Sequence, residues 1–407
     1  MRLDGEGTGA AIARTNINLN LLLIAACEFL LTATLAIGNT LVGVVGKTLT
    51  NDVHLVTAPY AIMTLLAALT TIGASTLMRR VGRPPGFIVG AIAAILGGII
   101  TVWALWLHSF WTFCAAFGLI GIYKAFAQYY RFAAAEVVHE NFALKSNAVA
   151  IVLVGSFCAA VCGPWIAARV WNLVPNLPYA GSFLAIALMG MATLALVSAL
   201  KFPGALKQNL ITGKGDRTSL SVLLRRPKIV VAISCATISY TVMAVMMVTA
   251  PLAIIARGGS VPGAALIMQF HVAGMYAPSF FTGKLMGRFG TRPTVLAGCL
   301  LQVLASVIAF SGVSSSAFAT ALLLCGIGWN FMYVGSTVML TNSCSDEERA
   351  TAQGANEFIM FSFVTVCSFA AATVLHRYGW HRLQILLAVA LLVAAGVTLS
   401  FRARGDD

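Results

Sequence analysis

The stretch LMRRVG at Leu77–Gly82 recurs as LMGRFG at Leu285–Gly290, 208 residues further along the chain. Pro85 matches Pro293 at the same spacing. Each copy lies between two long apolar stretches, where a tight turn needs the backbone freedom of glycine and arginines favour the cytoplasmic face of a membrane. The recurrence therefore predicts two related halves, each with this turn between its second and third membrane spans.

The composition around the repeat is that of a membrane protein. Of 407 residues, 59% are hydrophobic and 10% are charged, whereas a soluble domain carries about 25% charged residues. The apolar stretches predict twelve helical spans of about 20 residues each. These spans cover residues 19–42, 55–77, 87–107, 110–134, 146–170, 179–200, 229–253, 264–286, 294–311, 316–340, 354–375 and 383–400.

The longest polar stretch, residues 201–228, follows the sixth span and predicts the division of the chain. We expect a six-helix bundle over residues 1–200, a cytoplasmic linker loop over 201–228 and a second six-helix bundle over 229–407. The fold class is therefore an all-α membrane protein.

The charge distribution predicts the orientation in the membrane. The formal net charge is +13, and 19 of the 26 Lys and Arg residues fall on one side if both termini are cytoplasmic. This asymmetry fits the positive-inside rule, so we expect a multi-pass protein of the bacterial cytoplasmic membrane and no nucleic-acid partner. The N-terminus lacks the features of a cleaved signal peptide, so the first span should remain as an anchor. Nine scattered cysteines with no CxxC pair predict no disulfide framework.

Polar side chains within the predicted spans are the first candidates for function. An ionisable group at bilayer depth costs about 2.5–3.5 kcal/mol on insertion scales and therefore marks function by default. The alternative for each is an interhelical hydrogen bond, or a long side chain that reaches the interface. The candidates are Glu28, Lys124, Gln128, Arg131, His271, Asn330 and Glu357.

Sulfur and one imidazole form a second candidate group. Met243 and Met247 lie four residues apart in the seventh span, as do His271 and Met275 in the eighth, so each pair shares a helix face. The two spans are antiparallel neighbours, which places both pairs near the midplane. Thioethers with a neutral imidazole suit Cu(I), which predicts a metal site of these four residues. Packing of flexible methionines and a hydrogen-bonded or proton-carrying histidine are the alternatives.

Over nearly its whole length the sequence resembles the major facilitator superfamily. The loop pattern of that family is roughly G-x-L-x-D-R-x-G-R-R, and the second copy here has Gly283, Leu285, Arg288, Gly290 and Arg292. The resemblance implies twelve transmembrane helices in two bundles. The acidic position is Arg79 in one half and Gly287 in the other, so the gating ion pair ascribed to that acid does not carry over.

Within that family, MxxxM followed by HxxxM resembles the CcoA-type copper importers. The stretches Gln128–Glu136, His271–Gly283 and Gly328–Gly335 are typical of that branch and its close relatives. The resemblance implies import of copper as Cu(I) for cytochrome oxidase assembly, with Cys235 and Cys367 as positional matches for a thiol relay. It also implies the copper ion, the lipid bilayer and copper chaperones as partners. We expect a monomer with no prosthetic group.

Riboflavin transporters of the RfnT type share much of the same framework, so these motifs do not discriminate between substrates. The second prediction is a carrier of an organic solute, riboflavin-like or drug-like, with Glu28 and Arg131 as a protonatable pair and Asn330 and Glu357 as further polar or coupling groups. The sequence contains no nucleotide loop, HExxH or GxSxG motif, so we expect no enzyme.

Overall fold

The computed structural model describes residues 5–130, 133–134, 142–200, 220–312 and 314–400, and the regular structure in these ranges is α-helical. This confirms the all-α prediction. A short helical turn, Leu220–Leu223, precedes the seventh helix. The other helices are α1 (Gly5–Leu49), α2 (Ala58–Val81), α3 (Arg83–Trp106), α4 (Phe110–Ala127), α5 (Phe142–Val170), α6 (Ala180–Ser198), α7 (Pro227–Ala256), α8 (Val261–Tyr276), α9 (Ser279–Phe289), α10 (Thr291–Ser311), α11 (Ser315–Asn342) and α12 (Asp346–Ser400).

Nine helices in the described part of the chain are long and apolar enough to cross a membrane. One of them, Thr351–Ser400 within α12, contains both the eleventh and the twelfth predicted spans, and it is kinked at Gly379, where φ is +75°. The predicted eighth span is divided into α8 and α9, because Ala277 and Pro278 interrupt the helix and proline has no N–H to donate. The predicted fifth span corresponds to α5.

The repeated turns have the same backbone conformation in both halves. Gly82 joins α2 to α3 with φ +94° and ψ 168°, and Gly290 joins α9 to α10 with φ +90° and ψ 160°. Non-glycine residues rarely adopt positive φ, so glycine is required at both positions. The end of the molecule that carries these two glycines is called the turn end below, and the opposite end is called the far end.

The helices pack mainly within two sets, α1–α6 and α7–α12, called the first and second halves. In the first half α1 packs on α5 and α6, and α3 packs on α4 and α6. In the second half α7 packs on α11 and α12, and α10 packs on α11 and α12. The halves meet where α1 contacts α7, α2 contacts α12 and α5 contacts α8. The exact boundaries at residues 200 and 229 stay a prediction, since residues 201–219 lie outside the described ranges.

Several contacts between the halves lie toward the far end. The hydroxyl oxygens of Thr64 on α2 and Thr365 on α12 are 3.0 Å apart, and α1 and α7 approach closely at Gly43. A Cβ at Gly43 would lie 3.0 Å from the Leu252 side chain and 3.2 Å from the Val248 carbonyl oxygen. The absence of a side chain at this position therefore allows the two helices to touch.

Candidate substrate cavity

A cavity of about 150 Å³ lies between the two halves. Helices α1, α2 and α4 contribute to its wall from the first half, and α7, α8, α11 and α12 contribute from the second. Because both halves line it, a movement of one half against the other changes its shape. The lining residues are Glu28, Leu31, Thr32, Leu35, Ala36, Asn39, Tyr60, Met63, Lys124, Gln128, Tyr240, Met243, Met247, Val272, Met275, Tyr276, Trp329, Tyr333, Glu357 and Phe361.

Four aromatic side chains of the second half form one wall of the cavity. Trp329 and Tyr333 of α11 are stacked, with ring centroids 5.0 Å apart and planes 9° apart. Tyr240 of α7 meets both of them edge to face, with centroids 5.6 Å away, and makes the same contact with Phe361 of α12. We call these four residues the aromatic wall. The Trp329 indole N–H is buried and has no hydrogen-bond partner among the described residues.

Lys124 and Glu357 place opposite charges beside the aromatic wall. Lys124 extends from α4 across to the second half, where its Nζ lies 4.7 Å from the Phe361 ring centroid and 6.0 Å from that of Tyr240. An ammonium over an aromatic face is stabilised by the ring quadrupole. The Glu357 carboxylate accepts a hydrogen bond of 3.3 Å from the Tyr333 hydroxyl. Both residues were predicted from the sequence, and both line this cavity.

A second polar group lies on the first-half side of the cavity. Ser156 of α5 donates a hydrogen bond of 2.8 Å to the Glu28 carboxylate, and Thr32 donates one of 3.3 Å to Ser156. Hydroxyl groups of α5 and α1 are thus connected to the Glu28 carboxylate. Its predicted partner, Arg131, lies outside the described residues. Gln128 lines the cavity near Lys124, as expected for a polar residue in that span.

The structure divides the predicted metal ligands. Met243, Met247 and Met275 line the cavity together, and the Asn39 amide of the first half lies 3.7 Å from the Met247 sulfur. His271 is fully buried, and its Nδ1 lies 2.8 Å from the Leu322 carbonyl oxygen of α11. It is absent from the described residues that line the cavity. Three of the four predicted ligands are thus brought together.

The two cysteines predicted as a thiol relay lie apart from the cavity and from each other. The Cys235 sulfur is buried 3.1 Å from the Thr398 hydroxyl, between α7 and the end of α12. Cys367 lines a separate apolar groove of about 500 Å³ between α7 and both arms of α12. Neither belongs to the described lining of the cavity, so this arrangement forms no continuous thiol path to it.

Asn330 was predicted as a polar cavity residue, and the structure places it at the break between α8 and α9. Its amide nitrogen donates to the Met275 carbonyl oxygen at 2.8 Å and to the Ser279 hydroxyl at 2.7 Å. Its amide oxygen accepts from the Thr282 hydroxyl at 2.7 Å. The side chain therefore joins the last turn of α8 to the first turn of α9, and its role in these contacts is structural.

The aromatic wall is the part of the site that the sequence analysis missed. Trp329 and Tyr333 lie within the motif GWNFMYVG, but the motif alone gave no reason to place them beside Tyr240 and Phe361. Their i,i+4 spacing was the available signal, because it puts both rings on one face of α11.

A helical membrane protein with a cavity between two halves that each carry the same glycine turn has the architecture of a secondary transporter. The comparisons with known proteins agree with this class. A family model described as Major Facilitator Superfamily matches residues 22–363 and, a second time, residues 232–406. The chain belongs to this superfamily.

Relatives of known name extend over the whole chain. "Riboflavin transporter RfnT" of Brucella anthropi is 35% identical over 400 residues, which is 98% of each chain. "Uncharacterized MFS-type transporter YdeG" of Bacillus subtilis is 27% identical over 311 residues, 73% of this chain and 71% of the relative. A crystal structure of a mutant of the nucleoside transporter NupG has a TM-score of 0.76 at 12% identity, covers 94% of this chain and 99% of its own, and shows the same fold.

These findings confirm a membrane-spanning transporter of the major facilitator superfamily. None of these relatives supports the narrower resemblance to CcoA-type copper importers or a role in cytochrome oxidase assembly.

Proposed function

We propose that this protein is a secondary transporter that takes up a flavin-type solute, riboflavin or a close analogue, by alternating access. The observation that carries the proposal is the aromatic wall of Tyr240, Trp329, Tyr333 and Phe361 beside the Lys124–Glu357 pair. The isoalloxazine ring system is planar and fused, so it can stack on an aromatic surface and use its polar edge for hydrogen bonds. The 35% identity to a riboflavin transporter supports the same solute class.

The size of the cavity is consistent with a transporter between its binding states. Pockets for small organic ligands span about 300–1,000 Å³, and this cavity has about 150 Å³. A flavin therefore requires the walls to separate. Because the lining comes from both halves, the relative movement of the halves that alternating access requires also enlarges the site.

The predicted orientation gives this movement a direction. With both termini in the cytoplasm, the turn end is cytoplasmic and the far end, where Thr64 meets Thr365, is periplasmic. We propose that the protein acts as a monomer in the bacterial inner membrane and that the far-end contacts close the outer path in this state.

Cu(I) transport is the second candidate, and one observation favours it. The side chains of Met243, Met247 and Met275 line one cavity, and three thioethers are a suitable ligand set for Cu(I). His271 keeps its Nε2 without a hydrogen-bond partner among the described residues, but it is absent from the described lining of the cavity.

Uptake of radiolabelled riboflavin by cells that lack their own riboflavin transport tests the first candidate. We expect accumulation above the vector control, and a reduction of at least tenfold in Trp329→Ala, because stacking surface is lost. Trp103→Ala is the matched control, since Trp103 lies on α3 and is 54% exposed at the outside of the helical bundle. Equal uptake by Trp329→Ala and wild type would argue against the aromatic wall as the binding surface.

A triple substitution to leucine at Met243, Met247 and Met275 separates the two candidates. Leucine has nearly the volume of methionine but no sulfur, so packing is largely retained. We expect riboflavin uptake to stay within about threefold of wild type. Accumulation of copper by wild type, lost in the triple variant and accompanied by no riboflavin uptake, would replace the first candidate with the second.

A further inference from the structure

Lys124 and Glu357 are contributed by opposite halves and line the cavity beside the same aromatic wall. Lys124 belongs to α4 of the first half, whereas Glu357, Phe361 and Tyr240 belong to the second. The ammonium lies 4.7 Å from the Phe361 ring centroid and 6.0 Å from that of Tyr240. A solute that occupies this place must provide polar partners for Lys124 and Glu357, because an unpaired charge at this depth is costly.

The two side chains have complementary hydrogen-bonding roles. An ammonium has three donors and no acceptor, and an ionised carboxylate accepts only, with about four lone-pair positions. The Tyr333 hydroxyl donates to Glu357 at 3.3 Å, so this carboxylate already acts as an acceptor at the edge of the aromatic wall. Trp329 adds a further donor, because its buried indole N–H has no partner among the described residues.

The pyrimidine edge of an isoalloxazine presents the matching pattern. It carries two carbonyl acceptors with one N–H donor, at N3, between them. A ring stacked on the aromatic wall would bring this edge to the charged pair, where both hydrogen bonds would be charge-assisted and so about twice as strong as neutral ones. A methyl group at N3 removes the donor and adds bulk at the same point.

We propose that Lys124 and Glu357 form the specificity site for the pyrimidine edge of the flavin, with Glu357 accepting from N3–H and Lys124 donating to an adjacent carbonyl. This inference rests on the proposed function and deepens it. Because the two residues belong to different halves, a flavin bound in this way contacts both halves at once. Binding is thereby coupled to the relative movement of the halves.

Three ligands test the specificity site in wild-type cells: riboflavin, 3-methylriboflavin and 5-deazariboflavin, each as a competitor of radiolabelled riboflavin uptake. The 3-methyl compound should compete at least tenfold more weakly than riboflavin. The 5-deaza compound should compete within twofold of riboflavin, since its pyrimidine edge is unchanged. Equal competition by the 3-methyl compound would overturn the inference while leaving riboflavin transport itself intact.

Substitutions assign the discrimination to the named residues. In Glu357→Gln the amide oxygen still accepts from N3–H, but the bond is no longer charge-assisted and is about half as strong. The ratio between 3-methylriboflavin and riboflavin should therefore fall below threefold. Lys124→Met should weaken competition by both compounds at least tenfold. Glu28→Gln changes another carboxyl of the cavity and should keep the wild-type ratio, whatever its effect on rate. Membrane levels are compared by immunoblot.

The outcomes separate this inference from the proposed function. Wild-type cells that accumulate no riboflavin would contradict the proposed function. Riboflavin uptake with an unchanged methyl ratio in Glu357→Gln would contradict only the assignment of N3–H to Glu357. If Glu357→Gln fails to reach the membrane, the wild-type ligand series still decides whether N3–H is recognised.

Discussion

At the scale of single residues, the molecule keeps its charges where another group compensates them. Lys124 and Glu357 each would cost about 2.5–3.5 kcal/mol at the centre of a membrane span. The contact of the ammonium with the Phe361 ring returns about 0.5–2 kcal/mol, and the opposite charge of Glu357 adds to it. The cost of these two charges is therefore only partly offset within the protein, which is why we propose a binding role for them.

A charged pair outside the membrane spans gives a prediction about pH. Arg226 donates two hydrogen bonds, of 2.8 and 2.7 Å, to the Glu348 carboxylate, which lowers the pKa of Glu348 below its ordinary value. The Ser345 backbone N–H donates a further bond of 3.2 Å to the same carboxylate. Ser345 also accepts from the Glu348 N–H, so the two residues form a capping box at the start of α12.

A lowered pKa in the folded state means that the pair stabilises the fold above the unfolded-state pKa of about 4.3 and loses this effect as pH falls through the folded value. The melting temperature of the purified protein in detergent should therefore fall between pH 5 and pH 3. In Glu348→Gln this part of the pH dependence should disappear, and the melting temperature at pH 7 should be lower than that of wild type. An identical pH dependence in both proteins would contradict the assignment.

The polar residues of the site could be predicted from the sequence, and their partners could not. Glu28, Lys124, Gln128 and Glu357 stand out because ionisable and amide side chains are rare in apolar stretches. Aromatic residues are common in such stretches, so Tyr240 gave no signal until the folded chain brought three helices together. For Asn330 the sequence left open a cavity group or an interhelical hydrogen bond, and its observed partners, 48 to 55 residues away in sequence, correspond to the second.

At the scale of elements, the divided eighth span is the least regular part of the second half. Pro278 ends α8, and α9 has a single buried side chain among its described residues, Thr282. Asn330 of α11 bonds to both sides of the break. The short helix α9 is therefore held in place chiefly by one amide and by the turn at Gly290, rather than by an extensive apolar core.

We expect Asn330→Leu to destabilise this region without removing a cavity side chain. The change removes the amide that donates to the Met275 carbonyl and to the Ser279 hydroxyl, while the Thr282 hydroxyl keeps the Pro278 carbonyl as an acceptor. Each lost hydrogen bond costs about 0.5–1.5 kcal/mol. The variant should melt at a lower temperature, and trypsin should cleave faster at Lys284 and Arg288 on α9. Asn342→Leu is the matched control, because Asn342 lies exposed at the end of the same helix. Unchanged proteolysis in Asn330→Leu would show that other contacts hold α9.

The sequence predicted the helical spans more completely than the break within the eighth span. The apolar lengths indicated each span, and the glycine of the repeated turn was assigned correctly because no other residue tolerates φ near +90°. The break at Pro278 was visible as a proline in an apolar helix. The predicted eighth span, residues 264–286, nevertheless includes this proline, because a kinked helix and two separate helices have the same hydropathy.

At the scale of the whole molecule, the two halves touch at the far end and enclose the cavity below that contact. Close approach at Gly43 and the Thr64–Thr365 contact join the halves there. Packed interfaces of this kind have discrete arrangements, so a rocking movement that opens the far end must break both contacts together. The repeat in the sequence predicts two halves, but it carries no information about which end is closed.

Joining the halves at the far end should therefore stop transport. The hydroxyl oxygens of Thr64 and Thr365 are 3.0 Å apart, so cysteines at both positions would lie within reach of a bifunctional thiol reagent. We expect the Thr64→Cys, Thr365→Cys double variant to lose more than nine-tenths of its riboflavin uptake after treatment and to recover it after reduction.

Each single variant carries the same nine native cysteines and should be inhibited far less. Met63 and Phe361 of the cavity wall adjoin the cross-linked positions, but the turn end stays free to open. The treated protein should therefore still bind riboflavin in detergent, as measured by quenching of flavin fluorescence. Transport at the normal rate by cross-linked protein would mean that the halves do not separate at the far end, and loss of binding together with transport would mean that the cross-link distorts the cavity instead of locking the movement.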